Sequence, residues 1–119
     1  MNKKLMSPTG HAVGDYIFAL ATLTVPSLLG ASKKNVQLYR LLALEVFLYG
    51  SLSKHRLALK PLIPPKTHLS IDLINLLGVA FLSRCEQIKM DKKMLYFNLT
   101  LLGVGLVNVL LTDWNKNDV

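Results

Sequence analysis

A chain of 119 residues allows one domain, and with 51% hydrophobic residues, 18% charged residues and a mean hydropathy of +0.37 it is too apolar for an ordinary water-soluble domain of that size. The net charge of +7 raises nucleic acid as a partner, but the 14 Lys and Arg are scattered along the chain, not gathered in one aromatic-studded patch, so anionic lipid headgroups are the simpler counter-charge. Cys85 is the single cysteine, which excludes an internal disulfide and a Cys-pair metal site.

Four apolar stretches follow one another at 12–31, 36–53, 69–83 and 95–112. Each approaches the roughly 17–25 residues that carry a helix across a bilayer of ~30 Å hydrocarbon, the third being the shortest. Backbone polar groups in lipid need partners within their own segment, so spans in a chain this short are predicted to be helices. A soluble four-helix bundle would show a charged stripe at helical period, and none is present: no charge falls between Tyr16 and Ala31. A cleaved secretory signal fits poorly, because Asp15 interrupts the apolar run between Lys3-Lys4 and the small-residue site Ala19-Leu20-Ala21.

Ser7 and Pro8 open the first predicted helix as cap and first helical residue. Pro26 is expected to kink that helix or end it early. The turn at 30–35, with Gly30 and Lys33-Lys34, makes the first two helices an antiparallel hairpin, and a basic, proline-bearing linker at 54–67 is expected to be an extended loop. Pro64-Pro65 then repeats the helix entry, and the second hairpin turns at 86–93.

Pro-x-x-His-x-x-x-Asp occurs twice, at Pro8, His11, Asp15 and at Pro65, His68, Asp72, separated by 57 positions. The same offset matches Lys3 with Lys60, Leu5 with Leu62, Ile17 with Ile74, Leu20 with Leu77, Leu38 with Leu95, Tyr39 with Tyr96, Leu42 with Leu99 and Leu44 with Leu101. The reading is a tandem duplication: an all-α, four-transmembrane-helix bundle built from two helical-hairpin repeats, 1–57 and 58–119, in a single membrane domain. Two spans per repeat put both copies into the membrane from one side, related by an axis along the bilayer normal. The Lys and Arg of the two faces are equal in number, and the orientation preferred here is a cell membrane protein of the bacterial inner membrane with both termini cytoplasmic. Tyr39, Tyr96, Phe97 and Trp114 sit at predicted span ends, as an aromatic belt would.

His11 and Asp15, like His68 and Asp72, are four apart, so each imidazole can stand over its own carboxylate on one helix face. With those faces turned inward, two imidazoles and two carboxylates converge near one membrane surface. Their structural reading is a lock on helix packing; the sharper ones are a proton relay and, as a minor alternative, a metal site made by His11, Asp15, His68 and Asp72. Glu45 falls mid-helix in the second span without a counterpart, and is expected to face the bundle interior and join this polar group. Gly78, Gly103 and Gly105 are expected to permit close helix contact.

With its two His-x-x-x-Asp entries, the run Pro26-Ser27-Leu28-Leu29-Gly30 and the linker Ile63-Pro64-Pro65-Lys66-Thr67-His68, the chain resembles the SPW-repeat family of small bacterial membrane proteins. The resemblance implies one helical hairpin per repeat. The family's Ser-Pro-Trp triplet is replaced by Val25-Pro26-Ser27 and Leu82-Ser83-Arg84, and no activity follows from the likeness. No nucleophile or cofactor fingerprint is present, so the expected function is non-enzymatic, without a cofactor: a structural or accessory membrane protein, with the lipid bilayer and further copies of itself as partners. The alternative is a small proton- or cation-coupled transporter using Glu45 and the His/Asp pairs.

Overall fold

The computed structural model describes residues 5–118, and Lys3 and Lys4 lie outside the described residues. The described chain is all-helical: α1 (Pro8–Leu28), α2 (Lys33–Ser51), α3 (Pro65–Leu82), a single turn α4 (Glu86–Lys89) and α5 (Lys92–Leu111). α1 packs along α2 and α3 along α5, with α5 also meeting α1. The N-terminal ends of α1 and α3 and the C-terminal ends of α2 and α5 gather at one end. There two isolated parallel bridges, Met6 with Thr112 and Ser53 with Ile63, stitch each helix exit to a helix entry.

Local chemistry sets the boundaries. The Ser7 hydroxyl caps α1 by accepting from the Gly10 N–H at 3.1 Å, and Pro8 takes the first helical position. The helix runs through Pro26 and stops two residues later in a Schellman turn, with Ala31 N–H donating to Pro26 C=O (3.0 Å), Gly30 N–H to Ser27 C=O (3.1 Å) and Gly30 left-handed at φ 72°. A side chain is strained in that region by about 1–2 kcal/mol. Gly30→Ala is therefore expected to destabilise the fold by about 1 kcal/mol, read as a lower midpoint in chemical unfolding.

The linker forms no helix before Pro65, but it is folded back and not extended, with Lys54 N–H donating to Ile63 C=O at 2.8 Å, and His55 pins it: its Nε2–H donates to Gly50 C=O at 2.6 Å while Nδ1 accepts from Leu57 N–H at 3.1 Å. Asp118 ties the tail to the same end by accepting from Thr9 N–H at 2.8 Å. Burial alone would raise the Asp118 pKa, but the hydrogen bonds from Thr9 and Ser7 and the charge of Arg56 outweigh it and hold the group below its usual value. A depressed folded pKa contributes stability that is whole above the unfolded carboxylate range near ~4 and fades as pH falls through the folded value. Trp114 fluorescence should accordingly report acid loosening of the tail below about pH 4 in the wild type, and less change in Asp118→Asn.

Three expectations meet the packing differently: the first holds in its coarser part, an all-helical chain, and the other two are corrected. Among the described residues one helix, α5, is long and apolar enough by length and composition to cross a membrane. The others carry polar groups: His11 and Asp15 in α1, His68 and Asp72 in α3, and Lys33, Lys34, Arg40 and Glu45 in α2. Second, the offset of 57 does not hold beyond the turns. α2 and α5 begin 59 positions apart, at Lys33 and Lys92, after caps Ser32 and Asp91. Tyr39 is 0% exposed and belongs to the core with Val79, Ile88, Met94 and Leu101, whereas Tyr96 is 67% exposed. Tyr39 is thus no belt residue. The two additional residues lie in a second turn that forms α4, whose Ile88 plugs the core. Third, Gly78 and Gly103 face open space, and the close approaches are at Gly105, where a Cβ would stand 2.7 Å from Leu76 Cδ2, and at Gly14, against the Asn108 amide.

Candidate functional site

At the stitched end, α1 and α3 present their first two turns to each other. The motif residues meet across the hairpins. His11 Nε2 lies 2.8 Å from Asp72 Oδ2 and 3.2 Å from Asp15 Oδ2, and His68 Nε2 lies 2.9 Å from Asp15 Oδ2 and 3.3 Å from Asp72 Oδ2. Spacing within each helix suggested that each imidazole would favour its own carboxylate; the shorter contact is in both cases to the other helix. All four residues are buried, and the imidazole rings stand edge to face with centroids 5.2 Å apart.

The surrounding groups fix how the four side chains point. Thr112 Oγ1–H donates to Asn108 C=O at 2.6 Å, so its oxygen accepts from His11 Nδ1–H at 2.9 Å. Ser53 Oγ–H donates to Tyr49 C=O at 2.6 Å, so its oxygen accepts from His68 Nδ1–H at 2.6 Å. The hydrogen-bond network therefore assigns a proton to both Nδ1 atoms and turns both Nε2 atoms toward the carboxylates. The carboxylates are steered likewise: Tyr49 OH donates to Asp72 Oδ1 at 2.5 Å, and the Asn108 amide approaches Asp15 Oδ1 at 3.4 Å while donating to His11 C=O at 3.2 Å. Each Oδ2 is left for the centre.

Trp114 closes the outside. Its ring lies 4.6 Å from His11 and 5.8 Å from His68, stacked on the latter, and its Nε1–H donates to Val109 C=O at 3.0 Å. Inward, a cavity of about 30 Å³, room for a water, is lined by His11, Asp15, Tyr49, Asp72, Asn75 and Asn108 among others. Each charged side chain thus has several partners, as burial demands.

His11, Asp15, His68 and Asp72 are brought together and Glu45 is not. Contrary to expectation, Glu45 is exposed on α2, in an outer groove with Leu41, Leu44 and Leu48, and Arg40 lines a separate groove with Tyr16, Leu20 and Phe47. The helix angle explains this: Ala43, Val46 and Tyr49 take the inward stripe of α2, and position 45 falls outside it. Sequence reasoning missed Tyr49, Ser53, Asn108, Thr112 and Trp114. Ser53 and Thr112 stand 59 apart, the spacing of the helix starts, so a search restricted to 57 passes over them.

Comparison with protein-family models, with curated proteins and with solved structures gives no match. The site is therefore read from its own chemistry.

Proposed function

We propose that this is a small integral membrane protein, a bundle of four transmembrane helices in two tandem hairpin repeats of the SPW-repeat kind, whose crossed His/Asp contacts lock one hairpin to the other and whose role is structural or accessory. The observation that carries this reading is the inverted distribution of polarity. Ile74 (68% exposed), Leu77 (72%) and Phe81 (69%) form an outward stripe on α3, and Ile17, Leu20, Leu106 and Leu110 do the same on α1 and α5, while His11, Asp15, Thr22, Asp72 and Asn98 are buried. Water would favour the reverse arrangement; hydrocarbon favours this one.

Two further features support it. The long helices of 18–21 residues extend about 27–31 Å, close to the hydrocarbon thickness. The outward hydroxyls of Thr24, Ser70 and Thr100 each donate to the carbonyl four residues back, at 2.9, 3.2 and 2.8 Å, which leaves few polar groups facing outward unsatisfied. The near-equal reciprocal His/Asp distances support the duplication, and the gathered helix ends support a shared side of entry, which we propose to be the cytoplasmic one on the Lys and Arg distribution alone. The transport alternative is weakened by the outward position of Glu45.

Fractionation tests the reading. Expressed in bacteria, the chain is expected in the membrane pellet, resistant to alkaline carbonate and released by detergent. Recovery as a monodisperse protein in the detergent-free supernatant would overturn it.

A further inference from the structure

We propose that His11 Nε2, His68 Nε2, Asp15 Oδ2 and Asp72 Oδ2 form a four-ligand site for a divalent transition-metal ion of the zinc class. This goes beyond the membrane assignment and does not depend on it.

The geometry carries the inference. The four atoms form a closed quadrilateral with edges of 2.8, 3.3, 2.9 and 3.2 Å, alternating nitrogen and oxygen, and the candidate ligand atoms of the four residues lie within 4.8 Å of one another. Tetrahedral ligands at ~2.0–2.1 Å from zinc are separated by about 3.3 Å, so an ion is accommodated by opening the short edges by up to about half an ångström and drawing in the wider separations across the quadrilateral, which lie within 4.8 Å. Two imidazoles and two carboxylates suit zinc or its neighbours in the transition series. Calcium takes six to eight oxygens and magnesium an octahedral, largely hydrated shell, and neither fits this set.

The surroundings match what a metal site requires outside its ligands. Each imidazole spends its Nδ1–H on a hydroxyl, from Thr112 or Ser53, that is itself held by a helix carbonyl, so that Nε2, on giving up the proton it shares with a carboxylate, would offer its lone pair to an entering ion. The second oxygen of Asp72 is taken by the Tyr49 hydroxyl, leaving a single oxygen to the ion. Two neutral imidazoles, two carboxylates and one divalent ion sum to zero charge, which a buried centre demands. The small cavity lined by His11, Asp15 and Asp72 adjoins the quadrilateral from within, and Trp114 covers it from without.

The test uses the full chain purified in detergent with Cys85→Ser, which removes a competing thiolate. After treatment with chelator, the protein is titrated with zinc(II) and cobalt(II), dialysed and analysed for metal. One equivalent per chain, intense visible cobalt bands of a tetrahedral complex, and a higher melting temperature with zinc are expected. His68→Gln should weaken zinc affinity at least tenfold, and so should Thr112→Val, which leaves all four ligands in place and guards against a ligand variant that fails to fold. Less than a tenth of an equivalent retained by the Cys85→Ser protein, or cobalt spectra of the octahedral, hydrated kind, would overturn the proposal. So would unchanged affinity in a folded His68→Gln protein. None of these outcomes bears on membrane partitioning, so the two readings fail separately.

Discussion

Asp72→Ala is expected to cost about 3–5 kcal/mol of stability in the metal-free protein, the usual penalty for removing one partner of a buried ionic group. The side chain meets His11 at 2.8 Å, His68 at 3.3 Å and the Tyr49 hydroxyl at 2.5 Å, so its loss leaves three buried groups short of a partner and Asp15 facing two imidazoles. Asp15→Ala should act similarly, since its contacts to the same imidazoles are 3.2 and 2.9 Å. Reversible unfolding in mixed micelles measures both. A change below 1 kcal/mol in either would remove the view that these contacts hold the hairpins together. Asp72→Asn, which keeps an acceptor for Tyr49 but discards the charge, separates the hydrogen bond from the ion pair.

The second large effect is expected at the opposite end of the bundle. Tyr39 OH donates to Asn98 Oδ1 at 2.7 Å, and Asn98 Nδ2–H donates to Val79 C=O at 2.9 Å, so one fully buried amide joins α2, α3 and α5. Asn98→Ala strands the tyrosine hydroxyl and opens a void, and should cost about 2–3 kcal/mol; Tyr39→Phe strands only Asn98 Oδ1 and should cost about 1–2 kcal/mol. A double-mutant cycle between Tyr39→Phe and Asn98→Ala should give a coupling of about 0.5–2 kcal/mol. Coupling near zero would mean that the hydroxyl finds water in the native state.

How far the sequence foretold these features depended on what each one rests on. Helix existence follows from long apolar runs, and each of the four long helices begins three or four residues before its run: the starts at Pro8 and Pro65 are marked by the Ser7-Pro8 and Pro64-Pro65 entries, whereas those at Lys33 and Lys92 fall inside the expected turns at 30–35 and 86–93. Those first turns are polar, because two of them hold the His/Asp site and the other two carry lysine pairs beside a capping side chain. The four motif residues were legible because identical spacing recurs. Their crossing was not, since it is set by the approach of α1 to α3, which no spacing within one helix encodes. The inward stripe of α2 was hidden by leucines on its other faces: Leu41, Leu44 and Leu48 are exposed and mask the run Ala43, Val46, Tyr49. Trp114 lies beyond the last helix, in a tail whose fold depends on the Met6 bridge to Thr112 and is invisible in a local pattern.

Because each imidazole reaches past its own helix for its nearest oxygen, a lone hairpin owns half of a self-complementary emblem. Two identical copies could complete the same figure by a half-turn, each lending the acid that the other's base seeks. Under the duplication proposed above, fusion of such a pair into one polypeptide would free the halves to diverge where symmetry no longer constrains them, as at Tyr39, which faces Asn98 at sites 59 apart that a strict dimer would fill alike.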